Sequence, residues 1–286
     1  MRLSGYARNL VILNLSMLFI STSGALGRYI TTVPPVTIFF RALIAAIFLY
    51  AFCRYKGINV LKPLGNDLKS IALSGLFMGI HWVTYFYSLQ LSNVAIGMLS
   101  IFTYPVITTF LEPLLLKTKF QPFQLLLALL VVLGIYFLVP EFSFKNDHTL
   151  AVLLGVISAL FYALRNILVK KHINNYHGTA IMWYQLVVVI IFLMPFLLFY
   201  SLDDVWTQLP ALATLALLTT AIGHSLYVVS FRFFSVSTAS IMGSLQPLYG
   251  ICIGFLFLGE YPAMETIIGG ALILASVVLE GIRSFR

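Results

Sequence analysis

The sequence predicts an all-α integral membrane protein with ten transmembrane helices, arranged as two inverted-topology five-helix repeats. Three observations lead to this fold class. The 286-residue chain is 60% hydrophobic and only 9% charged, whereas a soluble domain carries about 25% charged residues. The apolar residues form long runs of about 20 residues, the length that crosses a bilayer as a helix. The order of runs and breaks in the first half of the chain recurs in the second half.

Ten apolar runs follow one another along the chain, separated by short polar breaks. They cover approximately residues 9–30, 36–55, 68–89, 94–116, 122–140, 149–169, 178–200, 210–230, 235–258 and 264–282. The longest breaks are residues 56–67 and 141–148. Because these breaks are so short, we expect no soluble domain outside the membrane.

Basic residues are distributed unequally between the two predicted faces of the membrane. Of the 17 basic residues, 13 lie at the termini or in even-numbered connections: Arg2, Arg8, Arg54, Lys56, Lys62, Lys69, Lys117, Lys119, Lys170, Lys171, Arg232, Arg283 and Arg286. The opposite face carries only Arg28 and Lys145, beside several acidic residues. The positive-inside rule therefore predicts a multi-pass protein of the cytoplasmic (inner) membrane with both termini in the cytoplasm. Since the basic residues form no continuous patch, no nucleic-acid partner is predicted.

The two halves of the chain align without a gap at an offset of 247 − 105 = 142 residues. This offset pairs Ser16 with Ser158, Phe19 with Phe161, Leu26 with Leu168, Thr37 with Thr179, Tyr85 with Tyr227, Ser88 with Ser230 and Pro105 with Pro247. The repeats are predicted to cover residues 1–143 and 144–286. Each unit contains five spans, an odd number, so the second unit must lie upside down relative to the first. Inverted repeats of this kind are used for alternating access.

Each repeat carries a proline in the middle of its fourth span, at Pro105 and Pro247. A proline removes one backbone donor and displaces the carbonyl one turn earlier, so the helix bends. The freed backbone groups then need protein or a water-filled cavity beside them. Paired breaks of this kind predict a transporter's central site, with both prolines as hinges. Membrane helices also contain proline without such a role, and this alternative stays open at this point.

The middle of each run distinguishes lipid-facing helices from helices that line a cavity. Runs two, five, seven and ten show only aliphatic residues there and are predicted to be outer helices. The other six runs supply the predicted substrate-binding wall: Ser21, His81, Trp82, Tyr85, Thr103, Tyr104, Tyr162, Asn166, His224, Tyr227 and Gln246. Aromatic faces and neutral hydrogen-bonding groups suit a small amphipathic solute. The alternative is that each group bonds only to a neighbouring helix.

Three charged residues lie well inside the runs: Arg41, Glu112 and Arg165. Glu112 and Arg165 lie at similar depth, so an ion pair at an inner gate is one interpretation. The other is that Arg165 snorkels to the interface and Glu112 is hydrated. Arg41, near the opposite face, is expected to anchor helix ends or to attract an anionic group. His81 and His224 are candidates for proton coupling or, alternatively, neutral hydrogen-bonding groups.

Other functional classes lack their sequence signals. An intramembrane enzyme acting on lipid or peptide would need convergent catalytic groups, but the chain has no His-Glu-x-x-His, no Gly-x-Ser-x-Gly and no paired aspartates within spans. A non-transporting receptor or scaffold would need a larger extramembrane part. The cysteines Cys53 and Cys252 have no metal-site spacing, so neither a metal nor another cofactor is predicted. We therefore expect a transporter and not an enzyme.

Four motifs resemble those of EamA-type members of the drug/metabolite transporter superfamily. They are Phe39-Phe40-Arg41-Ala42-Leu43, Thr103-Tyr104-Pro105-Val106, Ala159-Leu160-Phe161-Tyr162-Ala163-Leu164 ending at Lys170-Lys171, and Leu258-Gly259-Glu260. The first repeat departs from the pattern, with Leu116-Lys117-Thr118 where Leu-Gly-Glu would be expected. The resemblance implies secondary transport of a small metabolite, with export of amino acids or related compounds as the expected activity.

The expected partners are a small-molecule substrate and the lipid bilayer. The mid-depth residues lack the Lys or Arg cluster that would neutralise a phosphate group. Apolar outer runs five and ten could pair two copies, so a monomer and a homodimer both stay open.

Overall fold

The computed structural model describes residues 5–61, 64–116, 122–139, 143–234, 236, 239 and 243–284. Within these ranges the regular secondary structure is helical, with no β-strand. The α-helices are α1 (Gly5–Tyr29), α2 (Pro34–Tyr55), α3 (Leu68–Leu91), α4 (Val94–Ile101), α5 (Tyr104–Leu116), α6 (Phe123–Leu138), α7 (Asp147–His172), α8 (Gly178–Leu193), α9 (Val205–Thr214), α10 (Ser225–Ser230), α11 (Leu245–Leu258) and α12 (Met264–Ser284). A π-helix, Leu215–His224, joins α9 to α10, and short 3₁₀ helices lie at Gly65–Asp67 and Met194–Phe199.

Several of these helices have the length and hydropathy of membrane spans. In the described part of the chain, six segments qualify: Arg8–Tyr29, Pro34–Tyr55, Val94–Leu115, Asp147–His172, Gly178–Phe199 and Val205–Ser230. Leu125–Leu138, Leu245–Leu258 and Met264–Leu279 are apolar but shorter. Helix α3 has 24 residues and carries more polar side chains. In the described residues each of the ten predicted runs contains helix, and the protein is a multi-pass membrane protein.

Both prolines of the paired breaks lie in the first turn of a helix. Helix α4 ends at Ile101, and α5 begins at Tyr104 immediately before Pro105. Helix α11 begins at Leu245 after a turn, with Pro247 two residues further on. A proline is tolerated there because the first-turn N–H groups have no partner within the helix. Each proline therefore begins a half-helix, whereas the sequence predicted a bend within a continuous helix.

The contacts between the two halves occur in reciprocal pairs. Helix α3 packs against α7, and the equivalent contact is made by the π-helix and α10 against α1. Likewise, α3 against α8 matches the π-helix against α2, and α4 with α5 against α7 matches α11 against α1. Helix α2 meets α8 and α6 meets α12, which are contacts between equivalent elements. This is the pattern that a two-fold relation between the halves produces.

Helices α6 and α12 form an outer pair, as the aliphatic centres of runs five and ten predict. Their backbones touch at two glycines: a Cβ on Gly134 would lie 2.8 Å from the carbonyl oxygen of Gly269. A Cβ on Gly269 would lie 2.6 Å from the carbonyl oxygen of Gly134. Val132 and Tyr136 face outward and are exposed. These two runs, which could have paired two copies, therefore pair with each other within one chain.

Helices α2 and α8 do not fit the prediction that runs two and seven are outer helices only. Each has one exposed face and one buried face, and the buried faces carry Arg41 and Gln185. Gln185 lies one turn before the buried Val189, so both side chains point inward. The aliphatic residues at the centre of run seven gave no indication of Gln185, which lies one turn earlier.

Helices α4 and α11 approach each other closely at a glycine. A Cβ on Gly250 would lie only 1.8 Å from Sδ of Met98, and a Cβ on Gly254 would lie 3.1 Å from the Val94 side chain. Met98 also faces Gly24 of α1. The small residues thus allow α1, α4 and α11 to meet near the centre of the molecule.

Candidate functional site

A small cavity lies where α1, α2, α3, α7, α11, the π-helix and the break between α4 and α5 converge. Its wall is formed by Ile20, Ser23, Arg41, His81, Trp82, Tyr85, Ile101, Phe102, Tyr104, Tyr162, His224 and Gln246. The cavity volume is about 20 Å³, which holds about one water molecule. A much larger groove of about 570 Å³ lies between α2 and the π-helix, but its wall is almost wholly apolar and includes the exposed Phe48 and Phe52. That groove has the character of a lipid-facing surface.

Most of the predicted binding wall meets at the small cavity. Seven of its eleven residues line the cavity: His81, Trp82, Tyr85, Tyr104, Tyr162, His224 and Gln246. The remaining four, Ser21, Thr103, Asn166 and Tyr227, are buried behind the wall. Sequence reasoning missed Ile20, Ser23, Ile101 and Phe102. Ser23 could have been found because it lies two residues from Ser21, whereas the three apolar residues gave no signal.

Tyr162 of α7 is the centre of an aromatic cluster. Its ring stacks on His81 at 4.4 Å between centroids with a 20° interplanar angle. Tyr104 meets it edge-on at 4.8 Å, and Tyr227 stacks at 6.2 Å. His224 completes the cluster at 6.4 Å. Because these rings come from four different segments, the cluster joins both halves of the chain.

His81 is held by the hydroxyl of Ser158. The Ser158 hydroxyl donates to the backbone carbonyl of His81 at 2.8 Å, and its oxygen lies 2.8 Å from Nδ1 of the same histidine. A serine hydroxyl has one proton. Since that proton is used by the carbonyl, Nδ1 of His81 must carry a hydrogen and donate it to Ser158. The remaining nitrogen, Nε2, is therefore the atom available for proton exchange.

Ser21 and Thr103 serve the two helix breaks. The Ser21 hydroxyl contacts the carbonyl oxygens of Met17 at 2.6 Å and Gln246 at 3.0 Å. The Thr103 hydroxyl donates to the carbonyl oxygen of Ser100 at 2.9 Å. Interrupted helices at membrane depth leave carbonyl groups that need such partners. These two residues are placed to stabilise the breaks next to the cavity.

Arg41 of α2 is buried on the cavity wall, with only 1% of its surface exposed. Its Nε donates to the Thr220 hydroxyl at 2.6 Å. Its guanidinium lies 3.9 Å from the centroid of Trp82 and 5.6 Å from that of Phe86. Both terminal nitrogens, Nη1 and Nη2, lack a hydrogen-bond partner. Thr220 thus holds the Arg41 side chain in place, and the two terminal nitrogens of the guanidinium group make no hydrogen bond.

Arg165 of α7 is fully buried in a network of neutral groups. Its Nη1 donates to Oδ1 of Asn166 at 2.9 Å, and its Nη2 donates to Oε1 of Gln185. Gln185 in turn donates to the Ser74 hydroxyl at 2.8 Å. In this structure the acceptors of Arg165 are amide oxygens and not the carboxylate of Glu112.

A polar network that the sequence analysis missed joins four helix ends. The Glu260 carboxylate lies 3.1 Å from Nε of Arg28 and accepts the N–H of Val94 at 2.8 Å. Arg28 also donates to the carbonyl oxygen of Gln90 at 2.9 Å. The network thereby links the ends of α1, α3 and α11 to the start of α4. Arg28 and Glu260 are 232 residues apart, so no local pattern could have paired them.

At the opposite ends of the helices, Lys170 occupies the position equivalent to Arg28, since 170 − 28 = 142. Its ammonium group donates to the carbonyl oxygens of Phe231 and Phe234, and Glu112 interacts with it electrostatically. Lys170 is thus one basic residue in the electrostatic environment of Glu112. Among the described residues, no three His, Cys, Asp or Glu side chains are grouped as a metal site.

Comparison with known proteins gives the chain a family. The model of the EamA-like transporter family matches residues 9–139 and 149–280. An uncharacterized transporter of Archaeoglobus fulgidus is 24% identical over 219 residues, which are 77% of this chain and 78% of the relative. The pseudopaline exporter CntI of Pseudomonas aeruginosa is 24% identical over 246 residues, 84% of each chain.

A solved crystal structure shares the fold. It superposes with a TM-score of 0.70 over 98% of both chains, at 16% sequence identity. The family match covers both halves of the chain in separate copies, and the relatives that it resembles are named as transporters. The chain therefore belongs to the EamA-like transporter family and is a membrane transporter, not an enzyme.

Proposed function

We propose that this protein is a secondary transporter that exports a small organic metabolite, an amino acid or a related amphipathic solute, across the cytoplasmic membrane by alternating access. The observation that carries the proposal is the buried cavity at the junction of the two halves, walled by aromatic rings and hydrogen-bonding groups. Such a wall suits a small solute with an apolar body and a few polar groups. The pseudopaline exporter among the relatives supports the direction of transport.

The small size of the cavity supports a mechanism with movement. A volume of about 20 Å³ is far below the roughly 300 Å³ or more of a ligand pocket. Binding therefore requires the surrounding helices to separate. In the proposed mechanism the two halves rock against each other, and the half-helices that begin at Pro105 and Pro247 supply the hinges.

Two sets of polar contacts at opposite ends of the helices are proposed to act as gates. The Arg28–Glu260 network would close the extracytoplasmic face, and Lys170 with the carbonyl groups of Phe231 and Phe234 would close the cytoplasmic face. The proposal includes ten spans in two inverted repeats, residues 1–143 and 144–286, with both termini in the cytoplasm. The reciprocal contacts between the halves support this arrangement.

His81 and His224 are proposed to carry the coupling proton. Both line the cavity and lie within the same aromatic cluster. Nε2 of His81 and Nδ1 of His224 are free to exchange a proton, the latter because it has no hydrogen-bond partner. Protonation of either ring would add charge to the wall and alter the affinity for solute.

Transport by the purified full-length protein in liposomes tests the proposal. Counterflow of amino acids and related metabolites is measured with and without a pH gradient, against protein-free liposomes. Trp82→Phe should reduce transport at least tenfold, because it removes an indole from the cavity wall. Trp206→Phe is the matched control, since Trp206 is 77% exposed and remote from the cavity. Absence of counterflow for the whole panel, or equal effects of the two substitutions, would contradict the proposal.

A further inference from the structure

We infer that the transported solute carries a carboxylate group and that Arg41 binds it through its two free terminal nitrogens. The inference rests on the proposed function, because it names the substrate class of the same cavity. It follows from the position of Arg41 and from the charges around it. It also follows from the neighbouring nitrogen atoms that have no hydrogen-bond partner.

Arg41 presents a preformed binding fork. The guanidinium is fixed from one side by its bond to Thr220 and from another by stacking on Trp82. Arg41 lines the cavity, and its two remaining nitrogens are buried and have no partner. A planar guanidinium with both terminal nitrogens free matches the two oxygens of a carboxylate in a bidentate pair.

The charge of Arg41 is not compensated within the described part of the chain. The two ion pairs found there are Arg28 with Glu260 and His172 with Asp67, both away from the cavity. A fully buried charge without a counterion is strongly unfavourable. The stacked aromatic rings offset only part of this cost. A ligand of opposite sign would supply the missing partner.

The other unpartnered polar atoms beside Arg41 also favour a solute group that accepts hydrogen bonds. The indole Nε1 of Trp82 has no hydrogen-bond partner, and an indole N–H can only donate. Nδ1 of His224 is likewise unpartnered, and its ring lies 5.3 Å from that of Trp82. The wall therefore offers the Trp82 N–H beside the two free nitrogens of Arg41, with His224 as a further donor in the tautomer that carries its hydrogen on Nδ1. A carboxylate, which only accepts hydrogen bonds, is the complementary group.

A single guanidinium group with two free nitrogens suits a carboxylate better than a phosphate. The second buried arginine, Arg165, already donates both terminal nitrogens to Asn166, Gln185 and the sulfur of Met182. A phosphate dianion would leave part of its charge uncompensated by Arg41 alone. An amino acid fits the same wall, because the aromatic rings that surround the cavity can stabilise its ammonium group once the helices separate.

The test compares matched acids and amides in liposomes that contain the full-length protein. The probes are amino acids and short hydroxy acids, their primary amides, and inorganic phosphate as a competitor. Wild type should transport acids at least tenfold faster than amides. Arg41→Gln should raise the apparent dissociation constant for acids about 100-fold. Arg41→Lys should raise it about tenfold, because lysine keeps the charge but lacks the fork.

Arg54→Gln is the matched control, because Arg54 is an exposed arginine on the same helix. It should transport acids like the wild type. Thermal unfolding of the ligand-free variants provides a second measurement. Arg41→Gln should be at least as stable as the wild type, because it removes an unpaired buried charge. Loss of stability would instead show that Arg41 is a structural anchor and would overturn the inference.

The remaining outcomes separate the inference from the proposed function. Equal transport of acids and amides, or unchanged acid transport by Arg41→Gln, would overturn the inference and leave the transporter proposal standing. Competition by phosphate as strong as that by a carboxylic acid would overturn the choice of carboxylate. A wild-type protein that transported no solute of the panel would overturn both.

Discussion

Replacing Glu260 by glutamine should favour forms of the protein in which the cavity is open towards the face that carries Arg28. The carboxylate makes an ion pair whose side chains are 38% and 22% exposed, worth about 0.2–1 kcal/mol at such exposure. It also accepts the N–H of Val94 at 2.8 Å, and a charged acceptor adds about 1 kcal/mol over a neutral one. Together these contacts stabilise closure by about 1–2 kcal/mol. The substitution should therefore lower the ratio of closed to open forms about 5- to 30-fold.

Thiol labelling measures this ratio. In a background without Cys53 and Cys252, a single cysteine replaces Ile101 on the cavity wall. A membrane-impermeant thiol reagent is then added from the side that carries the network. Labelling should be about 5- to 30-fold faster with Glu260→Gln, and unchanged with the control Glu265→Gln, an exposed carboxylate in the first turn of α12. If Glu260→Gln left the labelling rate unaltered, the network would not control access to the cavity.

Two further substitutions test the packing that forms the cavity wall, both by thermal or denaturant unfolding in detergent. Gly250→Ala should destabilise the protein by about 1–3 kcal/mol, because its Cβ would overlap Sδ of Met98; a cost that Met98→Ala did not reduce would refute this explanation. Gln185→Leu should cost about 1.5–3 kcal/mol, because it removes one of the hydrogen-bond acceptors of the charged Arg165 side chain, and a stability equal to that of wild type would show that the network is dispensable.

The positions of the helices could be predicted well from the sequence, because bilayer length and hydropathy constrain each run independently of its neighbours. The two breaks could also be located, since proline is rare inside helices and recurs at the same offset. Their form could not be predicted. Whether Pro247 bends a helix or begins one depends on the partners of nearby carbonyl groups, and one such partner, Ser21 at the carbonyl of Gln246, comes from a distant helix.

The cavity wall was predictable in part for the same reason. Polar and aromatic residues at mid-depth must avoid lipid, so residues such as His81 and Tyr162 were expected to point inward. Pairings between distant segments were not predictable. Arg165 was matched to Glu112 by depth alone, although Gln185, on a helix assigned to the outer layer, was the actual acceptor. The depth of a residue in the membrane limits which residues can contact it. It does not determine which of the surrounding helices supplies the hydrogen-bond partner.

The π-helix at Leu215–His224 has no counterpart in the first half, where residues 73–82 form regular α-helix within α3. Two identical halves would relate the two orientations of a carrier by a two-fold rotation, so both would have equal free energy. A π-helix in only one half makes the two free energies unequal. It places Thr220 against Arg41, and the first half has no equivalent contact. The empty carrier would then have a preferred resting orientation, set by the chain itself before any gradient acts on it.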